Sequence, residues 1–177
     1  MEKLEIRAVC GVDYPAVSSL YAYVHAIHEE NRPDLFNALE EPLTAAMFEQ
    51  ICADSAGIAL CAVQSGRIAG FAYTRIKPPS TSPIVRPRMT AYMEDLVVHP
   101  NAQRTGVGRA LFEETHRLAA ARGAVSLELK VWTFNRNARE FYGRMGMRPR
   151  SVIMEMPLAE IRSFPQNCGV PVENRRD

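Results

Sequence analysis

Tyr92-Met-Glu-Asp-Leu-Val-Val-His-Pro-Asn-Ala-Gln-Arg-Thr-Gly-Val-Gly-Arg-Ala-Leu111 reads as a strand, a short loop and the start of a helix. The strand runs from Met89 to Val98 and closes on Leu96, Val97 and Val98. Pro100 lacks the N–H that a ladder requires and ends it. The helix is predicted from Gly106 to Arg122, with Val107, Ala110, Leu111, Thr115, Leu118 and Ala119 recurring at helical spacing on one face. Between strand and helix lie Gln103, Arg104, Thr105, Gly106, Val107 and Gly108. Glycine permits close backbone approach, and the first turn of a helix offers unpaired N–H groups at the positive end of its dipole. Arg104 and Arg109 add fixed charge that suits phosphate oxygens. The stretch therefore reads as a pyrophosphate cradle.

Two common phosphate motifs do not fit. A nucleoside-triphosphate loop needs Gly, four residues, then Gly-Lys-Ser/Thr, and neither the lysine nor the hydroxyl is present. A dinucleotide fingerprint needs a third glycine where Leu111 stands.

The rest of the chain alternates strands and helices around this unit. Leu4 to Cys10 alternates apolar and polar residues as a half-buried strand does. Asp13 is placed to cap a helix with Pro15 in its first turn and Val17, Leu20, Tyr21 and Val24 as its apolar stripe. That helix weakens at Glu29 to Pro33, and residues 29–42 read as an acidic loop. Leu43 to Ala53 forms a second helix. Gly57–Gln64 and Ile68–Ile76, joined by Ser65-Gly66, give a hairpin signal. The proline-rich stretch Lys77 to Pro87 reads as a long connection. Beyond the central helix, stopped by Gly123, come a strand at Ser126–Trp132, a helix opened by Asn135 and ended by Gly146, and a final strand at Met147–Met156. This order implies one α/β domain over residues 1–161 and a C-terminal tail over 162–177, with Pro165, Gly169 and Pro171 in the tail.

The composition narrows the class. The chain has 177 residues, 47% of them apolar, enough for one well-cored domain. A net charge of +1 lacks the basic excess of a nucleic-acid binder. No apolar run approaches the roughly 18 residues that span a bilayer, and Met1-Glu-Lys-Leu-Glu-Ile-Arg7 has no signal-peptide core. Cys10, Cys52, Cys61 and Cys168 are scattered and read as reduced structural thiols. The expected setting is cytoplasmic, with no membrane or nucleic-acid partner. His25 and His28 share a helix face, but no third ligand converges on them, so no metal is expected.

The pattern Gln/Arg-x-x-Gly-x-Gly, following a strand and opening a helix, resembles the acyl-coenzyme A loop of the GNAT superfamily of N-acetyltransferases. Downstream, Asn135-Arg-Asn-Ala138-Arg-Glu-Phe-Tyr142-Gly-Arg-Met-Gly146-Met147 resembles that family's second motif, with Met147 where phenylalanine is usual. The resemblance covers about Leu4 to Leu158. It implies the acyl-CoA N-acyltransferase fold, a mixed sheet of about six to seven strands flanked by about four helices. It also implies acetyl-CoA as cosubstrate and an amine as acceptor, and it admits a homodimer, although the sequence locates no interface.

Spacing alone puts Asn135, Ala138 and Tyr142 on one helix face, so a cap, a gap and a phenol address one place. The resemblance assigns further roles. Leu96 and Val98 would pair with the pantetheine amides in a split between the strands at Met89–Val98 and Ser126–Trp132, where a bulge in the first strand frees backbone groups. A backbone N–H near Leu96 or Val97 would polarise the thioester carbonyl. Gln103, Arg104, Thr105, Gly106, Val107, Gly108 and Arg109 would hold the pyrophosphate, and Asn135 would touch the arm. An ammonium cannot attack a thioester until it loses a proton. Glu94 is the candidate base, because strand parity groups it with Leu96 and Val98 and because Tyr92-Met-Glu-Asp-Leu-Val-Val98 resembles the corresponding strand of diamine and polyamine acetyltransferases. Asp95, by the same parity, points the other way. Tyr142 is the candidate acid for the departing thiolate. The carboxylates Glu29, Glu30 and Asp34 are placed to attract a cationic amine. The expected reaction is acetyl transfer to a small-molecule amine by direct attack. The alternatives are a peptide or lysine acetyltransferase and a non-catalytic acyl-CoA sensor.

Overall fold

A computed structural model describes residues 4–158. Five strands, β1 (Leu4–Ala8), β2 (Gly57–Gln64), β3 (Arg67–Lys77), β4 (Thr90–Val98) and β5 (Leu127–Leu129), lie in sequence order across one sheet. The first four are antiparallel, and β4 and β5 are parallel. Helices α1 (Tyr14–Asn31), α2 (Ala45–Ala53), α3 (Val107–Ala121) and α4 (Arg136–Arg144) complete the fold.

The strand alternation sorts the core onto two faces. On one face Val17 and Leu20 of α1 and Phe48 of α2 pack with Phe71, Tyr73 and Val97. On the other, Val107, Leu111 and Ala119 of α3 pack with Leu60, Ala62, Ala72 and Ala91. Burying a side chain such as Phe71 contributes about 2–3 kcal/mol, so these two layers fix where β4 lies.

Local signals acted largely as read. The hairpin turn Ser65-Gly66 has both residues at positive φ (51° and 71°), the geometry a tight two-residue turn requires. The Asn135 side chain accepts from Ala138 N and caps α4, and Thr44, inside the stretch read as helix, instead caps α2 by accepting from Met47 N.

Three expectations change. Asp13 sits at the start of α1, but its carboxylate makes no cap bond there. It accepts instead from Arg7 and from Cys10 N. The strand expected over Ser126–Trp132 is only Leu127–Leu129, because β4 and β5 part beyond it. The final strand expected at Met147–Met156 forms no ladder among the described residues, so the sheet has five strands rather than six or seven. Its stretch leaves Val152, Ile153 and Met154 exposed. Ion pairs hold it to the sheet side, Arg150 to Glu128 at 2.6 Å and Glu155 to Arg32 at 2.8 Å. The tail over 162–177 lies outside the described residues.

Candidate active site

The parting of β4 from β5 makes the site. The two strands pair only at Ala91–Leu127, Tyr92–Glu128 and Met93–Leu129. Beyond Met93, β4 keeps β3 as its neighbour on one side and has no ladder with β5 on the other. The register with β3 tells which backbone groups are left over. His99 N donates to Ala69 O at 2.9 Å, which makes that pair hydrogen-bonded. Antiparallel ladders alternate, so Val97–Phe71 and Asp95–Tyr73 are hydrogen-bonded pairs as well. Leu96 and Val98 then turn their N–H and C=O groups away from β3 and into the split. Both are candidates for the pantetheine arm, and both turn their backbone to the split. Val97 does not, since its backbone is used by Phe71 and its side chain is buried in the α1 face.

A bulge lies at the point of parting. Tyr73 is opposite Asp95, and Thr74 is opposite Met93, so Glu94 is the extra residue. This breaks the alternation used to group Glu94 with Leu96 and Val98. Met93, opposite Thr74, and Leu96, opposite Ala72, share a face although two residues separate them. Glu94 is exposed on the bulge. Asp95 is half-buried on the α1 face, where the Tyr21 hydroxyl donates to its Oδ2. Burial raises the Asp95 carboxyl to about 6 and the nearby Glu94 charge adds to the rise, while the Tyr21 hydrogen bond opposes it. Tyr21 was read only as part of an apolar stripe. A phenol in a stripe with Val17, Leu20 and Val24 was the signal that a buried acceptor awaited it.

Tyr142 comes from α4, packed against Phe112 and Phe141. Burial raises its phenol to about 12, and the charge of Asp95 contributes. Asp95 belongs to the α1 face and Tyr142 packs on Phe112 of α3. The phenol stays protonated at any physiological pH, as a proton donor must.

At the α3 end of the split lies the loop from Gln103 to Gly108. Gly106 has φ 95° and starts α3. A side chain there would be strained by the backbone, although the space around it is open. The first helical bond runs from Ala110 N to Gly106 O, which leaves the N–H groups of Val107, Gly108 and Arg109 without helix partners. A Cβ on Gly108 would lie 3.3 Å from Val98 Cγ2 and 3.6 Å from Phe141. The bare first turn and the bare strand backbone are therefore neighbours, as a phosphate bearing a long arm would need. Thr105 Oγ1 is tied to Ala102 O at 2.7 Å, and Gln103 donates to Tyr23 at 3.4 Å. Val107 is buried, so only its N–H is on offer. Arg104 holds a positive φ of 62° and is exposed. Arg109 pairs with Glu113 at 2.8 Å on the helix surface. Ala138 and Asn135 are half-buried at the start of α4.

The far rim of the split is aromatic. Beyond β5, Trp132 and Phe134 stack at 5.9 Å, and Phe36 and His28 close on them at 5.6 and 6.0 Å. Arg32 and Lys130 sit over the Trp132 ring at 5.6 and 4.3 Å. Of the acidic loop, Asp34 is taken up by Arg32 at 2.7 Å, and Glu30 is exposed. His25 bonds to Asn37 O at 2.8 Å. No helix among the described residues is long and apolar enough to cross a membrane.

A parted parallel strand pair, a β-bulge at its mouth and a bare helix N-terminus at its end define a GNAT-type acyltransferase fold. The profile of the Acetyltransferase (GNAT) family matches residues 24–147, and the chain belongs to that family. A mutant of the BH1408 protein from Bacillus halodurans has a TM-score of 0.85 and 30% identity, over 87% of this chain and 99% of its own. A transcriptional regulator from Bacillus halodurans has a TM-score of 0.71 at 20% identity, over 88% and 99%. An aminoglycoside acetyltransferase from an uncultured soil metagenomic sample has a TM-score of 0.66 at 19% identity, over 88% and 96%. The last two share the fold alone. No curated protein is significantly similar in sequence.

Proposed function

We propose that this protein is an N-acetyltransferase that moves an acetyl group from acetyl-coenzyme A to a primary amine while both are bound. The observation that supports this reading is the split, which presents the bare backbone of Leu96 and Val98 with carboxylates on one side and a protonated phenol on the other. The free N–H groups at Val107, Gly108 and Arg109 would take the pyrophosphate, with Gln103, Arg104, Thr105 and Gly106 shaping the loop and Asn135 and Ala138 flanking the arm. Acetyl-coenzyme A supplies an activated acyl group as its thioester. The N–H of Leu96 or Val98 polarises the acyl carbonyl. Glu94, exposed at the bulge, lies in the path by which the ammonium proton leaves. Tyr142 holds a proton for the departing thiolate. The carboxylates at the bulge favour a small cationic amine as acceptor.

The test is thiol release from acetyl-coenzyme A against polyamines, aminoglycosides, amino acids and short peptides, with coenzyme A binding followed by calorimetry. Aminoglycosides join the panel because the soil enzyme of this fold acts on that class. Turnover with one amine class supports the reading and names the acceptor. Tight binding without turnover favours an acyl-coenzyme A sensor, and absence of binding removes the cradle.

A further inference from the structure

Asp95 is a carboxylate without a cation. None of the ion pairs among the described residues includes it or Glu94. Yet it is half-buried, and its hydrogen bond comes from a neutral donor, Tyr21. Carboxylates taken out of water are normally paired with a charge, and Asp95 has none of its own, which leaves it able to receive a cationic ligand. The groups facing it are Tyr21 from α1, Glu94 on its own strand and Tyr142 from α4. Tyr73, its cross-strand partner on β3, gives its own hydroxyl to Asp54 at 2.7 Å. No lysine, arginine or histidine is among them.

We propose that Asp95, oriented by Tyr21, is the residue that takes the proton directly from the acceptor amine, and that Glu94 passes this proton on to solvent. The inference rests on the acyl-transfer reading above. In the step, an N–H bond of the bound ammonium breaks and an O–H bond forms on Asp95. The lone pair left on nitrogen is free for attack. The Asp95 proton then moves to Glu94, exposed on the bulge next to it, and from there to water. Tyr21 is a positioning residue: its hydroxyl fixes the carboxylate and favours the ionised form that can accept. A carboxyl raised to about 6 is ionised near neutrality and a better proton acceptor than an ordinary aspartate. Glu94, with its side chain in solvent, is suited to exchange with water rather than to hold an amine in fixed geometry.

The experiment joins kinetics to a titration. Aspartate side-chain carbonyls are labelled with carbon-13, and the Asp95 resonance, assigned by its loss in Asp95→Asn, is titrated in wild type and in Tyr21→Phe. The pH dependence of kcat/KM is measured with the amine most rapidly acetylated in the panel. The Asp95 titration is expected to coincide with the acidic limb of kcat/KM. In Tyr21→Phe both should move to higher pH together, because the bond favouring the ionised form is gone. Asp95→Asn should lose that limb and at least about a hundredfold in kcat/KM, with coenzyme A affinity retained. Glu94→Gln should slow turnover and keep the limb but move it to lower pH, together with the Asp95 resonance, because the Glu94 charge no longer raises the Asp95 carboxyl. An acidic limb that survives Asp95→Asn, or one that stays put in Tyr21→Phe while the resonance moves, overturns the proposal. Coenzyme A binding with no amine acetylated by the wild type removes the acyl-transfer reading, and this proposal with it. Loss of coenzyme A binding in wild type removes the acyl-transfer reading itself, which calorimetry tells apart.

Discussion

Arg7 holds Asp13 through both terminal guanidinium nitrogens, each 2.7 Å from a different carboxylate oxygen. The pair joins β1 to the start of α1 on a carboxylate that is only 5% exposed. Cys10 N adds a third bond at 2.9 Å. The Arg7 hydrogen bond holds the Asp13 carboxyl well below the usual carboxylate range. Asp13→Asn should cost about 2 kcal/mol near neutral pH, less than a fully buried pair because the Arg7 end is partly solvated. A depressed carboxyl stabilises the fold above its ordinary pKa of 3.8, and that stability is lost as pH falls toward its folded value. Urea unfolding at about pH 7 and about pH 3 should therefore show the deficit of the variant shrinking in acid. An equal deficit at both pH values would count against the pair.

Gly70 on β3 lies under α3 with no room for a side chain. A Cβ there would come within 2.9 Å of Val97 O and 3.0 Å of both Leu111 Cδ1 and Val107 Cγ1. The nearest of these atoms is backbone and cannot swing aside. Gly70→Ala should lower stability by about 2–3 kcal/mol in thermal unfolding. Gly143→Ala is the control: it lies on α4 with nothing within 4 Å, and it should leave stability unchanged or raise it by up to about 1 kcal/mol. Similar effects at the two sites would refute the packing argument.

The cradle is tested at Gly106, whose φ of 95° disfavours any L side chain. Gly106→Ala should cost about 1–2 kcal/mol of stability and weaken coenzyme A binding at least about tenfold in calorimetry, since the loop must re-form to relieve the strain. Unchanged affinity would place the pyrophosphate elsewhere.

Asp95 should also carry a stability penalty. Its carboxyl is raised from 3.8 to about 6, so ionising it works against the folded state. The cost is fully present above that value and vanishes as pH falls below the unfolded one. Asp95→Asn keeps an oxygen for the Tyr21 hydroxyl and removes the charge. It should raise stability by about 1–3 kcal/mol at alkaline pH, with little gain in acid. A variant less stable than wild type at every pH would show that the carboxylate is merely structural.

Because burial raises the Tyr142 phenol to about 12, any fall in turnover on the alkaline side should not begin below about pH 10 through this residue. Tyr142→Phe should lower kcat at least about tenfold and change coenzyme A affinity by less than about threefold. A similar loss of affinity would assign Tyr142 to binding rather than to proton donation.

Signals written in a few adjacent residues survived into the structure. Ser65-Gly66 turns the hairpin, Gly106 starts α3 and Asn135 caps α4, because each acts through its own backbone or the next turn. Signals that needed a distant partner did not. Asp13 had every local feature of a cap, but Arg7 reached it from the neighbouring strand. Parity through Glu94 failed because the bulge that the resemblance implied for this strand takes its position only from the register between β3 and β4, and no residue of β4 alone marks where it falls. Asp95, set aside by that parity, proved to be the enclosed carboxylate. Met147–Met156 has the residues of a strand, but a strand is completed only by a neighbour, and this stretch has none among the described residues.

The chain contains one tryptophan. Trp132 stands where the loop after α1, the diverging end of β5 and the segment bearing Glu155 come together, with Arg32 5.6 Å above its ring and Lys130 at 4.3 Å. Indole emission from this protein is therefore an optical signal from a single address. Two cations lie within cation–π range of that ring. An incoming amine that pulls Arg32 from the ring, or a movement that separates Glu155 from it, changes the colour and intensity of that light. The unlabelled protein thus carries its own fluorescent gauge of the acceptor side, readable in a stopped-flow instrument before any chemistry has occurred.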